Sequence, residues 1–267
     1  MLNNIIFLLN DKENIPPSFN DSIYNILTDT EGASAQESLV VTDDVSRCAE
    51  LASAGYALIL VYDGDEYVDG VAYIVQDFKG CTIKYCEEAF ARQKGLALTV
   101  IRTERTYIKE ITVEDLPELY RLYDDDEIRR YVDALYEYDE EAEFTRNYIR
   151  CMYGFYGVGM WLVRSLEDDH LIGRAGIEIR QIDGEDQFEL GYIIGKEDRR
   201  KGYALEVCKA IEQYAFDVLP DTNKLNIIIS PDNKASINLA KKLGARAACS
   251  FTDNGLEYVL YECVRPD

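Results

Sequence analysis

In the N-terminal part of the chain, short continuous apolar runs alternate with stretches whose apolar positions recur at helical spacing. The short runs predict buried strands, and the periodic stretches predict amphipathic helices. Strands are predicted at 4–9, 39–41, 56–62 and 71–75. Helices are predicted at 22–27, 45–54 and 84–93. Strands and helices that alternate at these lengths predict a small parallel sheet.

Between residues 98 and 105 the chain changes character, and longer elements follow. Strands are predicted at 106–109, 160–165, 172–181, 188–194 and 224–230. One helix is predicted to begin at Thr112, because Asp115 follows three residues later in a near capping box. Further helices are predicted at 139–152, 202–218 and 234–243. Turns are predicted at Asp168-Asp169, Asp183-Gly184 and Asn254-Gly255, and a Gly- and aromatic-rich loop at 153–159. The change predicts two domains, a small α/β domain of unknown role at 1–103 and a larger domain at 104–267.

The composition is that of a globular protein, since 47% of the 267 residues are hydrophobic and 29% are charged. The 28 Lys and Arg against 50 Asp and Glu give a net charge of −22. This charge argues against nucleic acid and against anionic membrane surfaces as partners, because both require a basic face. It favours simple solubility or a cationic partner.

Cysteine and histidine usage argues against a metal site. The seven cysteines form no Cys-x-x-Cys pair, and the one histidine, His170, lies in a predicted solvated turn. We therefore expect no metal and free thiols in a reducing compartment. The apolar run at 4–9 lacks a preceding basic segment and is too short for a signal peptide or a membrane span. These features predict a cytoplasmic protein.

The segment 188–204 joins an apolar strand to a basic, Gly-containing turn that opens directly onto a long amphipathic helix. The sequence of the turn is Arg199-Arg200-Lys201-Gly202-Tyr203-Ala204. Such a turn directs several backbone N–H groups and the positive end of the helix dipole toward one point, where phosphate can bind. Alone, the motif is also compatible with an ordinary solvated turn.

A second motif follows the next predicted strand. Asn233, Ser236, Leu239, Lys242 and Gly244 fall at the spacing Asn-x-x-Ser-x-x-Leu-x-x-Lys-x-Gly. In this order, the two motifs resemble those of the GNAT superfamily of acetyl-CoA-dependent N-acetyltransferases. Glu-Leu-Gly-Tyr at 189–192 resembles most the branch that acts on ribosomal-protein N-termini and related amines. The resemblance covers about residues 104–264. It implies the α/β (α+β) GNAT fold, a mixed central sheet flanked by helices, preceded here by the small α/β domain.

The resemblance implies acetyl-CoA as co-substrate and assigns the residues that would bind it. Backbone N–H groups of the turn would hold the pyrophosphate, and Gly202 would allow close approach. Tyr192 and Ile194 would pair their backbone with the pantetheine arm, while Asn233 and Ser236 would hydrogen-bond the arm. A cap role for Asn233 is compatible with that contact. The implied cofactor-binding residues are Tyr192, Ile194, Arg199, Arg200, Lys201, Gly202, Tyr203, Ala204, Asn233 and Ser236.

The implied reaction is direct attack of an amine on the acetyl thioester. Glu189 is the candidate catalytic base, acting through a water, because partial burial on its strand would raise its pKa. The alternative is a surface carboxylate that a one-residue bulge turns outward. The backbone N–H around Tyr192 is the candidate oxyanion donor.

Two positions depart from the family pattern. The tyrosine that many relatives use as general acid is Ala240 here, and the acidic residue that some carry on the preceding strand is Ile228. The candidate donors of the proton that the departing thiolate needs are Tyr203, Tyr258, Tyr261 and water. The missing tyrosine also fits a second function, a catalytically weak acetyl-CoA-binding sensor or interaction module.

The sequence does not identify the acceptor amine, which can be a protein N-terminus, a lysine, a polyamine or an aminoglycoside. Acidic runs at 124–127 and 139–143 lie in the two helices that flank the acceptor site of the family. Tyrosines interleave with them at 131, 136, 138, 148, 153 and 156. An acidic, aromatic pocket favours a cationic acceptor. The alternative is that the acids solvate helix ends and the tyrosines pack.

A third possibility assigns the function to the N-terminal domain. Its strand–helix–strand pattern faintly resembles a haloacid-dehalogenase-like domain. That family needs Asp-x-Asp after the first strand, and Leu8-Leu9-Asn10-Asp11 lacks this pattern. The oligomeric state stays open, with a homodimer as one option.

Overall fold

The computed structural model describes residues 1–11, 14–65, 68, 71–182, 184–219, 222–253 and 255–265. The chain divides into two compact units, Met1–Leu98 and Thr99–Asp267. The predicted boundary after residue 103 falls inside the second unit, because Thr99–Arg102 is a strand that pairs with Thr106–Lys109. No helix among the described residues is both long and apolar enough to cross a bilayer.

The first unit contains a five-stranded sheet in the order β2-β1-β3-β4-β5, with neighbouring strands parallel. Its elements are β1 (Asn4–Leu8), β2 (Asn25–Leu27), β3 (Ser38–Thr42), α1 (Val45–Ser53), β4 (Ala57–Val61), β5 (Ile74–Val75) and α2 (Ile83–Gln93). The predicted parallel sheet is confirmed. The helix predicted at 22–27 is wrong, because Ile26 pairs with Ile5 and packs on the buried core. Tertiary pairing here overrides local pattern.

Strand β1 shows how this sheet is buried on both faces. Ile5 and Phe7 belong to an apolar cluster that includes residues of α2. Ile6 and Leu8 belong to a second cluster that includes residues of α1. Successive side chains of a strand point to opposite faces, so α1 and α2 cover opposite sides of the sheet.

The second unit contains an eight-stranded mixed sheet in the order β12-β13-β11-β10-β9-β8-β7-β6. Its strands are β6 (Thr99–Arg102), β7 (Thr106–Lys109), β8 (Met160–Ser165), β9 (Leu171–Ile182), β10 (Glu185–Ile194), β11 (Lys224–Ile229), β12 (Arg246–Asp253) and β13 (Leu256–Val264). Its helices are α3 (Leu116–Tyr123), α4 (Asp126–Arg129), α5 (Tyr138–Tyr148), α6 (Tyr203–Val218) and α7 (Lys234–Lys242). The predicted α/β class, with helices flanking a mixed sheet, is confirmed.

The start of α3 and the two hairpins follow the sequence pattern closely. The carboxylate of Asp115 accepts a hydrogen bond from the backbone N–H of Thr112 at 2.8 Å, which completes the predicted capping box. Gly184 and Gly255 have φ of 82° and 80°, as tight hairpin turns require. The first residues of these predicted turns, Asp183 and Asn254, lie outside the described residues.

The segment after α5 is a π-helix at Ile149–Tyr156, whereas the sequence predicts a loop at 153–159. The Tyr153 side chain is 1% exposed, and its hydroxyl donates to the carbonyl of Met160 at 2.5 Å. The hydroxyl of Tyr148 accepts from the backbone N–H of Met160 at 2.7 Å. Both tyrosines thus tie the helix to the start of β8, an anchor that a glycine-rich pattern does not reveal.

The two faces of this sheet carry different residues. Trp161 is a core residue whose ring lies 5.6 Å from that of Tyr214 on α6, and strand pairing aligns it with Ala175 and Tyr192. The Tyr192 side chain therefore lies on the α6 face. Arg174 and Ile193 alternate to the other face, where Arg174 contacts Tyr123 of α3.

Candidate functional site

The strands β10 and β11 separate in the middle of the sheet. Strand β10 pairs with β9 from Glu185 to Ile194, but it pairs with β11 at one position, Glu189 with Asn226. Beyond that position, no strand of the described chain covers the β11-facing backbone of residues 190–194. Backbone N–H and C=O groups in such a gap require other partners. Tyr192 and Ile194 both lie along this open edge.

Tyr192 connects β10 to the start of α7. Its hydroxyl donates to the carbonyl of Ser236 at 3.4 Å, and burial raises its pKa well above its usual range. The side-chain oxygen of Asn233 accepts from the backbone N–H of Ser236 at 3.1 Å, which makes Asn233 the N-cap of α7. The structure thus brings Tyr192, Asn233 and Ser236 together beside the open edge.

The turn between β10 and α6 presents a row of backbone N–H groups. Arg200 and Gly202 have φ of 65° and 90°, in the left-handed region, and α6 begins at Tyr203. Among the described residues, no backbone carbonyl accepts from the N–H groups of 199–205. Ala204 continues the first turn of α6, where N–H groups have no intrahelical acceptor. The turn therefore offers an anion site built from main-chain donors.

A side chain at Gly202 would meet one neighbouring side chain. A Cβ at this position would have Arg105 Nη2 as its nearest neighbour, at 3.5 Å. Glycine is therefore required by the backbone angle rather than by packing within the chain. Because glycine has no side chain, a ligand can approach the main chain closely at this position.

Two of the three basic side chains of the turn are engaged by acids of the same unit. Arg199 pairs with Asp125 at 2.6 Å and also with Glu127, and Lys201 pairs with Asp198 at 2.9 Å. These two cations are therefore largely balanced before any ligand arrives. Attraction of the turn for an anion therefore rests on its main-chain donors, on the helix dipole and on the exposed Arg200.

Arg105 supports the same turn, and sequence reasoning missed it. Its Nη1 donates to the carbonyl of Lys201 at 3.0 Å, and its Nε donates to Glu206 at 2.8 Å. Its guanidinium stacks on the ring of Tyr203 at 4.3 Å. Because these partners lie about a hundred positions away in sequence, no local pattern could have indicated Arg105.

Glu189 is buried at the point where β10 and β11 last pair. It is 8% exposed, and burial raises the pKa of its carboxyl although the hydrogen bond from Arg180 Nη1, at 3.1 Å, opposes this shift. The register between β9 and β10 is continuous across this position. The outward-facing carboxylate that a bulge would produce is therefore not observed.

Of the two departures from the family pattern, Ala240 lies in the core and Ile228 is partly exposed. Ala240 is 0% exposed within the apolar cluster of the second unit, so no hydroxyl is available there. Ile228 pairs with Leu260 inside the sheet. The three candidate tyrosines are placed as follows: Tyr203 lies under Arg105, Tyr258 stacks on Phe251, and Tyr261 is buried.

The acidic run at 124–127 does not form an open acidic pocket. Asp124 and Asp126 pair with Arg129 at 2.6 and 2.7 Å, while Asp125 and Glu127 hold Arg199. In the second run, Glu141 is buried and accepts from the backbone N–H of Tyr136 at 3.0 Å. These contacts fit the packing alternative, and a cationic acceptor stays a prediction. Of the interleaved tyrosines, Tyr131, Tyr136, Tyr138 and Tyr156 are exposed, whereas Tyr148 and Tyr153 pack inward.

His170 is more than a solvated turn residue. Its Nδ1 lies 2.6 Å from Asp168, and its Nε2 lies 3.1 Å from the buried carboxylate of Asp198. The hydrogen bond to Asp168, and after it that to Asp198, raises the pKa of His170. His170 therefore links the β8–β9 turn to the main-chain turn before α6.

Known proteins share this arrangement over most of the second unit. A family model described as an acetyltransferase (GNAT) domain matches residues 105–246. An uncharacterized Bacillus subtilis protein, YkkB, is 29% identical over 149 residues, which cover 55% of this chain and 86% of that protein. The uncharacterized N-acetyltransferase YoaA of the same organism is 27% identical over 149 residues, 54% of this chain and 81% of its own length.

A solved structure shows a similar fold. It is RimL, described as a ribosomal L7/L12 alpha-N-protein acetyltransferase, with a TM-score of 0.52 and 14% identity. The match covers 63% of this chain and 95% of that chain.

Proposed function

The chain belongs to the GNAT acetyltransferase family, and on that premise we propose that it transfers the acetyl group of acetyl-CoA to a primary amine by direct attack. The family model covers 105–246 and includes both the open edge of β10 and the turn before α6. The chain is therefore an acetyl-transferring acyltransferase. The direct attack, the residues involved and the amine acceptor are proposals.

The observation that carries the proposal is the gap between β10 and β11, which ends at the main-chain anion site. An extended arm with amide groups would pair with the backbone of Tyr192 and Ile194, as an added strand would. A pyrophosphate at the far end would meet the N–H groups of 199–204 and the N-terminus of α6. Asn233 and Ser236, at the start of α7, lie beside the same gap and would contact the arm.

Acetyl-CoA supplies the acetyl group as a thioester with a good leaving group. Glu189 would take the proton of the attacking amine through a water, because its buried carboxyl has a raised pKa. The backbone N–H of Tyr192 would stabilise negative charge on the carbonyl oxygen. The new C–N bond replaces the C–S bond, and the proton that the amine loses balances the proton that the thiol gains.

The acceptor is proposed as a protein N-terminus, a lysine or a small-molecule amine. Two arginines, Arg129 and Arg199, pair with the four acids of 124–127, so the local negative charge is reduced but not removed. Attraction of a cation would draw on this remaining charge and on the net charge of −22. The seven free cysteines suit a reducing compartment, so we place the reaction in the cytoplasm.

Two measurements on the full chain test the proposed function. Calorimetry with acetyl-CoA should show saturable binding, and an amine panel should release free thiol at a rate that depends on the amine. Binding without thiol release from any amine would instead support the sensor that the alanine at position 240 suggests. Absence of acetyl-CoA binding would contradict the proposal.

A further inference from the structure

Glu189 forms one ion pair among the described residues, and Arg180 is its partner. Arg180 pairs across the sheet with Gln187, two residues before Glu189 on β10. Side chains two positions apart on a strand share a face, so Arg180 and Glu189 lie on the same side of the sheet, opposite to Tyr192. There Nη1 of Arg180 donates to Oε2 of Glu189 at 3.1 Å. The candidate base is therefore held by a cation on the neighbouring strand.

The same guanidinium contacts a second acid. Nη2 of Arg180 lies 3.5 Å from Oδ2 of Asp253, which is the last residue of β12 before the turn into β13. Arginine carries one positive charge at any physiological pH, so it cannot fully balance two carboxylates. Glu189 and Asp253 therefore compete for one cation.

The other polar groups around Glu189 carry no positive charge. Glu178 pairs with Glu189 across β9 and β10, and its negative charge raises the pKa of Glu189. The backbone N–H of Ile228 on β11 lowers that pKa. Tyr148 on α5 interacts with Glu178 and is neutral near pH 7, because burial raises its pKa to about 12. Of these groups, Arg180 alone brings a full positive charge to the base.

Burial and the cation act on Glu189 in opposite directions. Burial raises the pKa of its carboxyl, and the contact with Arg180 lowers it. A general base must be ionised to accept a proton, yet a carboxylate whose pKa lies far below the working pH is a weak base. The strength of the contact with Arg180 therefore decides how basic Glu189 is. Asp253 weakens this contact, because it holds the other edge of the same guanidinium.

Resting on the proposed function, we propose that Arg180 is a positioning residue for the base Glu189, and that Asp253 adjusts its hold on that base. When the amine gives its proton through a water to Glu189, the carboxylate becomes neutral and Arg180 keeps Asp253 as its charged partner. The cation thus has a carboxylate beside it before and after proton transfer. Arg180 contacts neither acetyl-CoA nor the amine in this scheme.

The test is the pH dependence of kcat/KM of the full-length protein, with acetyl-CoA and the best amine of the panel. Activity should fall on the acid side as Glu189 becomes protonated, and the midpoint of this fall is the measured quantity. Arg180→Met removes the cation and should move the midpoint to higher pH. Asp253→Asn leaves Arg180 to Glu189 and should move it to lower pH. The titration of the amine itself is the same in every variant and cancels in the comparison.

The expected shifts are moderate. A carboxylate beside an arginine changes its pKa by about 1–3 units when solvent is excluded. The Arg180 side chain is 45% exposed, so solvent screens part of its charge. We therefore expect each midpoint to move by about half a pH unit or more, in opposite directions for the two variants.

Three further variants show whether Asp253 acts through Arg180. In the double variant Arg180→Met/Asp253→Asn, the midpoint should lie close to that of Arg180→Met, because no cation is left to share. Arg180→Lys should restore part of the wild-type midpoint, because Lys keeps the charge without the planar fork. Arg146→Met removes an exposed arginine of α5 that pairs with Glu143, and this matched control should keep the wild-type midpoint.

A readout without turnover separates this role from a general effect on folding. Carbon-13 NMR of protein labelled at the glutamate carboxyl carbons measures the pKa of Glu189, whose signal is the one missing in Glu189→Gln. This pKa should rise in Arg180→Met and fall in Asp253→Asn, in parallel with the kinetic midpoints.

The outcomes are distinct. A lower kcat in Arg180→Met with unmoved midpoint and NMR pKa would indicate a structural role and overturn the inference. Shifts of the same sign in Arg180→Met and Asp253→Asn would also overturn it, as would an undiminished effect of Asp253→Asn in the Arg180→Met background. If no amine releases thiol, the proposed function fails, and the NMR pKa values then decide whether Arg180 and Asp253 control the Glu189 carboxyl.

Discussion

Nη1 of Arg105 donates a hydrogen bond to the main-chain carbonyl of Lys201 at 3.0 Å, across a sequence separation of 96. The same guanidinium covers the ring of Tyr203 and reaches Glu206. Arg105 thereby fixes the peptide plane just before Gly202 and the first residue of α6. A side chain that touches no ligand can in this way determine the direction of the N–H groups that would bind one.

Arg105→Ala should weaken acetyl-CoA binding by about tenfold, roughly 1.4 kcal/mol. The reason is that the turn loses the hydrogen bond to Lys201 and the stacking on Tyr203. Calorimetry measures the change. Arg102→Ala removes a nearby arginine that stacks on Tyr107 instead, and should leave the affinity unchanged. Similar affinities for wild type and Arg105→Ala would show that the turn holds its shape without this contact.

Gly202→Glu should abolish acetyl-CoA binding, because a carboxylate would occupy the space in front of the main-chain donors. Part of the effect arises from the left-handed φ of 90°, which any side chain disfavours by about 1–2 kcal/mol. Gly255→Glu is the matched control, since Gly255 has φ of 80° on a hairpin turn with open space around it. Calorimetry that finds wild-type affinity for Gly202→Glu would refute the location of the pyrophosphate site.

Glu189→Gln should lower kcat by roughly 10²–10⁴-fold with little change in acetyl-CoA affinity. The base works in its ionised form, so wild-type activity should fall as pH drops through the raised pKa of Glu189. This acid limb should flatten in the variant. Glu185→Gln, at the exposed start of β10, is the control. Near-normal kcat in Glu189→Gln would assign proton removal to water or another carboxylate.

Asp125→Asn should weaken acetyl-CoA binding several-fold, because Asp125 holds Arg199 against the end of β10. The sequence alone predicts a different result, a higher acceptor KM when Asp124, Asp125 and Asp126 are neutralised together. Asp139→Asn, in the other acidic run, is the control. Steady-state kinetics separate the two constants, and an effect confined to the acceptor would restore the view that these acids recognise a cation.

His170 should make stability depend on pH. Its pKa is raised from an ordinary value near 6.5 by Asp168 and then Asp198. Its contribution is therefore complete below pH 6.5 and is lost as pH rises through the raised value. Since the side chain is 42% exposed, we expect no more than about 1 kcal/mol. Urea unfolding should give a larger free energy of unfolding at pH 5.5 than at pH 8.5 in the wild type, and a smaller difference in His170→Gln. An equal difference in both proteins would exclude a role for His170.

The strand–turn–helix at 188–218 was predictable because its information is local. An apolar run, a basic glycine turn and a helical apolar face follow each other without interruption. The cap at Asn233 and the capping box at Thr112 were predictable for the same reason. The order of the two motifs then pointed to acetyl-CoA binding through the family resemblance.

Other features depend on contacts distant in sequence. Strand β2 exists because Ile26 pairs with Ile5, and the π-helix persists because Tyr153 reaches Met160. Arg105 carries no motif, and its importance follows from what lies around it after folding. The acids at 124–127 show the same limit, since a charge run in sequence does not reveal that Arg129 and Arg199 will pair with it.

The single pairing of β10 with β11 divides the hydrogen bonding of the sheet into two leaves, one of five strands and one of three. Each leaf is internally continuous, and Glu189 and Asn226 mark the join between them. A ligand that fills the gap would form hydrogen bonds with the strands on both sides, so the substrate would become part of the hydrogen-bonded sheet. Amide protons along β11 should then exchange more slowly when the gap is occupied, and the rigidity of the C-terminal leaf would report on the supply of acyl donor.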